Sequence, residues 1–197
     1  GVDAEGAFHI SRSLVFPMLR MKPNKTQNNL KQRFDINIAR MLTVNDVSLG
    51  FEKVKDINFK GIMTVKSILG YDAGRRVVKE AVEMERVFYP STLFPYYCEE
   101  YSVKNITNGT LTLRIPDWNM KYTTPEEAGV YGAYRVEASL TKNGTFVIQS
   151  GEAIRLEALF SGQKIAETPF KEVRFAEEKK ARQALINGWW SNLVLDT

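Results

Sequence analysis

The segment 130–160 constrains this chain more than any other. Val136, Ala138 and Leu140 alternate there with Arg135, Glu137 and Ser139, which gives a strand one apolar and one polar face. Asn143-Gly144 follows, a dipeptide that tolerates the positive φ of a type I′ turn. Phe146 and Ile148 share a face on the return run. A third run sets Ile154, Leu156, Ala158 and Phe160 against Arg155, Glu157 and Leu159, and stops at Ser161-Gly162. Consecutive strands with a common apolar face predict an antiparallel meander.

Other strands are expected on both sides of it. Phe8, Ile10, Leu14 and Phe16 share parity, an opening strand interrupted by Arg12 and ended by Pro17. Tyr97, Tyr101 and Val103 alternate with polar neighbours, and Leu111, Leu113 and Ile115 do so more clearly. The stretch 117–129 reads as a polar loop holding Trp118 and Tyr122, with a turn started at Thr124-Pro125-Glu126. A short strand is expected over 173–175 and a helix over 177–186, ended by Asn187-Gly188 and followed by an apolar tail.

The first half has a different periodicity. Leu30, Phe34, Ile38, Met41 and Leu42 recur at three- and four-residue spacing, which predicts an amphipathic helix capped at Thr26 or Asn28. Val44, Val47, Phe51 and Val54 suggest a second helix after a break at Asn45-Asp46. Asp72 is positioned to cap a third over 73–87, and residues 57–70 read as buried without a definite type. The expected fold class is therefore α+β: a helix-rich part over 1–92, and an antiparallel β-sandwich over 93–197 with a short C-terminal helix.

Charge placement is uneven. Residues 6–34 hold no Asp or Glu but carry Arg12, Arg20, Lys22, Lys25, Lys31 and Arg33. Arg20, Lys22, Lys25, Lys31 and Arg33 form the candidate binding segment, an electropositive contact for an acidic partner subunit or for nucleic-acid phosphates. No nucleic-acid motif accompanies them. Acidic residues concentrate later, at Glu80, Glu83, Glu85, Glu99, Glu100, Glu126 and Glu127.

Enzyme chemistry finds little to work with. His9 is the single histidine and Cys98 the single cysteine, too few for a nucleophile triad or the usual zinc ligand set. Glu99 and Glu100 are adjacent, so on a strand they point to opposite faces and do not form a glycosidase pair. Gly70-Tyr71-Asp72-Ala73-Gly74 lacks the Lys-Ser/Thr of a phosphate loop. No catalytic residue, cofactor or metal is expected. The sequons at Asn24, Asn105, Asn108 and Asn143 read as turn chemistry. One cysteine cannot staple an internal disulfide, which fits a reducing compartment and equally a secreted protein with a good core. No apolar run is long enough to span a bilayer, so a soluble protein is expected, with a cytoplasmic location favoured.

Met18-Leu-Arg-Met-Lys-Pro-Asn-Lys, then Leu30-Lys-Gln-Arg-Phe, then Leu49-Gly-Phe-Glu-Lys, and late in the chain Phe160-Ser-Gly-Gln-Lys carry one resemblance. Together they resemble an uncharacterised Bacteroidetes family, phage- or prophage-like, with an N-terminal helical part and an immunoglobulin-like β domain. The resemblance implies no catalytic residues and a structural or surface-interaction role. The functional expectation is a non-enzymatic structural or adaptor subunit, a phage or virion assembly component, that oligomerises through strand edges and aromatic surface. The alternative is nucleic-acid binding through 12–33.

Overall fold

A computed structural model describes residues 1–20, 29–92, 96–125, 133–165 and 174–195, excluding the side chains of 14–20, 29–32 and 188–195. The chain runs β1 (Arg12–Arg20), β2 (Asn29–Phe34), α1 (Ile38–Met41), β3 (Thr43–Val44), β4 (Val47–Ser48), β5 (Gly50–Phe59), β6 (Met63–Asp72) and β7 (Val77–Pro90). It continues β8 (Tyr96–Asn105), β9 (Leu111–Ile115), β10 (Asn119–Thr123), β11 (Tyr134–Leu140), β12 (Gly144–Ile148), β13 (Ala153–Lys164) and α2 (Phe175–Leu195).

Strand pairing builds two main sheets. A seven-stranded antiparallel sheet has the order β10-β11-β13-β8-β7-β6-β5, and a four-stranded sheet has the order β12-β9-β3-β4. β1 and β2 form a separate two-stranded ribbon. The principal core lies between the two sheets: Leu69, Val82, Met84, Val103, Leu156 and Phe160 from the larger meet Val44, Leu113, Ile115 and Ile148 from the smaller. The opposite face of the larger sheet carries α2, where Val87, Tyr89, Tyr96 and Cys98 pack with Phe175. The protein is thus a β-sandwich with a helix laid on one outer face.

The N-terminal helical part is not formed. The stretch expected as the first helix is β2 followed by α1, which is four residues long. The second expected helix is the hairpin β3–β4 followed by β5; Asn45 and Asp46 make its turn with φ of 50° and 62°, the left-handed pair a type I′ turn requires. The third is β7, a 14-residue strand. Asp72 caps no helix; its carboxylate instead accepts from the Gly74 amide at 2.7 Å in the β6–β7 turn. Register shifts inside β5, and in β7 between Val78 and Val82, account for the second and third misreadings, because extra residues lengthen a two-residue period locally. Strand structure and the sandwich therefore extend through both halves. β3 of the first half pairs with β9 of the second, and β7 with β8 across position 92.

The 130–160 meander is corrected as well. Its strands exist as β11, β12 and β13, but β11 pairs with β13 while β12 pairs with β9. Asn143-Gly144 closes no hairpin; Gly144, at φ +118°, starts a strand that has crossed to the other sheet. β1 runs on past Pro17, with its register shifting between Phe16 and Arg20 where the proline has no N–H to give. Residues 119–123 form β10 within the stretch expected as a loop, and α2 continues through Asn187-Gly188. The caps at Thr26 and Asn28, the sequon at Asn24, the turn at 124–126 beyond Pro125, Glu126, Glu127 and the start of the 173–175 strand lie outside the described residues.

Candidate functional site

The N-terminal turn is built around one carboxylate. Asp3 accepts from the Ala7 amide at 2.8 Å through one oxygen and meets His9 Nε2 at 2.6 Å through the other. These two contacts, His9 first, hold the Asp3 carboxyl below its usual pKa. Val2 bridges Phe8, and Gly6 O accepts from the Val54 amide at 2.9 Å, which docks the turn on the outer edge of β5. His9 is thus engaged in an exposed turn.

Between this turn and the link 35–39 lies a cleft of about 410 Å³. Phe8, Ile10, Arg12, Asp35, Arg86 and Tyr101 are among its lining residues. Two of its lining residues, Arg12 and Arg86, belong to buried ion pairs. Arg12 clasps Glu99 through both Nε and Nη2, and its Nη1 donates to Ile36 O at 2.7 Å. The Tyr101 hydroxyl donates to the same carboxylate. Arg86 Nη2 donates to Glu52 and, at 2.6 Å, to Ser67 Oγ. Each guanidinium also lies over a ring, Arg12 over Phe160 at 5.1 Å and Arg86 over Phe8 at 4.7 Å.

Burial dominates the titration of this group. Desolvation raises the Glu99 carboxyl above its usual pKa, with the Arg12 fork and the Tyr101 hydroxyl opposing it. Desolvation raises the Tyr101 phenol too, and the Glu99 charge adds to it. For Arg12 the cost of burial is outweighed by Glu99, and its pKa moves up.

The basic segment folds as part of the β1–β2 ribbon. Arg20 is paired at the backbone with Asn29, Lys31 with Val15, and Arg33 with Ser13. Arg33 Nε donates to Asp35 at 2.8 Å, and both line or border the cleft. The side chains of Arg20 and Lys31, and the whole of Lys22 and Lys25, lie outside the described residues.

Glu99 and Glu100 point to opposite faces of β8. Glu100 accepts from Tyr89 at 2.7 Å and from Lys179 of α2 at 2.8 Å, on the helix side. Cys98 is fully buried, and desolvation, with Glu178 next, pushes its thiol up to about 12. Asn105 is buried too, its amide nitrogen donating to Gly109 O and Ile148 O, which makes it a loop anchor. Among the described residues no cluster of His, Cys, Asp and Glu could hold a metal, and no helix is long and apolar enough to cross a membrane.

The sequence reading missed Arg86, Glu52 and Glu99 as a site. The signal was present in the phase of the strands. Arg12 follows Phe8 and Ile10, Arg86 lies between Met84 and Phe88, and Glu99 between Tyr97 and Tyr101, each a charge on an apolar phase. A charge there is buried and must find a partner. Comparison with protein-family models, with curated proteins and with solved structures finds no match for this chain.

Proposed function

We propose that the chain is a non-enzymatic structural subunit that works by protein–protein contact, and that a second copy of itself takes the free edge of β5. The observation behind this is the exposure on that strand: Phe59 is 75% and Ile57 45% exposed. Among the described residues β5 ends the seven-stranded sheet, with β6 as its one ladder neighbour. The N-terminal turn covers the edge at Val54, and no other described segment pairs with 55–59 on that side. Proteins usually blunt such edges with charge, so large apolar side chains there favour strand addition. Antiparallel pairing about Ile57 sets that residue against its own counterpart and Phe59 beside the stem and charge of Lys55, a self-complementary match. The role implied by the resemblance to the uncharacterised Bacteroidetes family is of the same kind.

Nucleic-acid binding through 12–33 has less support. Arg12 is buried against Glu99 and so is not free for a phosphate, and Arg33 pairs with Asp35 at the surface. Light scattering after size exclusion tests the proposal. A dimer is expected at micromolar concentration, persisting in high salt because the contact is apolar, and Phe59→Lys with Ile57→Lys gives a folded monomer. An unmodified chain that stays monomeric across that range overturns it.

A further inference from the structure

The geometry points to a binding site independent of the β5 edge: the cleft beside the N-terminal turn takes a small aromatic carboxylate, its acid group received at Arg86. The cleft's volume of about 410 Å³ suits a small molecule. Arg12, Arg33 and Arg86 line it, whereas Asp35 is the one carboxylate residue that does. Glu99 and Glu52, the partners of Arg12 and Arg86, are absent from the lining, so of each of these two pairs it is the arginine that borders the cleft. Arg12 is engaged by Glu99 and Ile36 O, which leaves Arg86.

Arg86 supplies the specific donor. Its side chain is 3% exposed, and its Nε is buried with no hydrogen-bond partner among the described residues. A buried N–H without an acceptor is costly, and native interiors rarely leave one. Phe8, with its ring 4.7 Å from Arg86 Cζ, offers only a π face. Phe8 and Phe88 lie 5.7 Å apart, and Tyr101 meets Phe88 edge-on at 6.4 Å, which gives the cleft an aromatic wall next to that donor. A carboxylate monoanion suits one spare donor in a partly apolar wall; a phosphate dianion loses more hydration there and needs more donors.

The probe is phenylacetate, titrated into the full chain while the Arg86 Nε–H signal is followed by nitrogen–proton NMR. Saturable binding is expected, with that signal moving, and phenylacetamide, neutral and of the same shape, binding roughly tenfold more weakly or worse. Arg86→Lys keeps a cation for Glu52 but removes Nε–H, and weakens phenylacetate by a similar factor. Equal affinity for acid and amide, shifts confined to residues away from the cleft, or no binding at millimolar phenylacetate overturns the site. The acid–amide comparison uses the unmodified chain, so it decides the matter even if Arg86→Lys does not fold. Because it reads a small-molecule isotherm, its outcome is separate from the association state that tests the β5 edge.

Discussion

A single buried charge decides more at the residue scale than any exposed one. Glu99 is fully buried and receives Arg12 and Tyr101 together. Glu99→Leu strands the Arg12 guanidinium in the interior and is expected to cost about 3–5 kcal/mol in urea unfolding. Adding Arg12→Met removes the stranded charge and recovers most of that loss, because the pair's Coulomb gain is largely offset by its desolvation. A double variant as unstable as the single one counts against this account. Cys98 gives a second residue-scale expectation. With its pKa raised to about 12, the thiolate fraction at neutral pH falls far below that of a free cysteine. A disulfide reagent at pH 7 is therefore expected to leave the native protein untouched and to titrate one thiol per chain in denaturant.

At the scale of elements, the sandwich depends on places where a strand gains a residue or loses a side chain. Gly70 lies opposite the bulge of β7 between Val78 and Val82, where a Cβ would lie 2.1 Å from the Val78 carbonyl oxygen and 2.6 Å from the Lys79 backbone. Backbone cannot give way as a flexible side chain can, so Gly70→Ala is expected to cost about 1–3 kcal/mol and to separate β6 from β7 locally. Gly109, with nothing within 4 Å of a built Cβ, is the control, and its alanine variant should stay within about 0.5 kcal/mol of the parent. Thermal or urea unfolding of the two variants side by side checks this, and equal stabilities would remove the bulge argument. Such bulges blur the two-residue period of β5 and β7: the β5 ladder slips between Gly50 and Lys53, and β7 gains residues between Val78 and Val82.

At the scale of the molecule, the chain is closed by pairings between distant segments. Thr43 and Val44 pair with Arg114 and Leu113, and β7 pairs with β8 from Val82↔Asn105 to Pro90↔Tyr97. Chains cut to 1–92 or to 93–197 leave those edges open and half the core exposed. Neither is expected to show a cooperative melt by circular dichroism, and a sharp transition from either half alone would overturn that view. The sequence by itself determined β8, β9, β11, β12 and β13, because their alternation is unbroken by bulges and each strand's two faces follow from parity alone. It also placed Glu99 and Glu100 on opposite faces, and it marked Arg12 as a charge on an apolar phase. Tertiary structure alone decided which strands pair, sending β12 to β9 instead of β11, since many strands offer equivalent backbone donors and acceptors. It decided the cleft for the same reason. Arg12 and Glu99 are 87 residues apart and Arg86 and Glu52 are 34 apart, and a charge buried on one strand names its need for a partner without naming the partner.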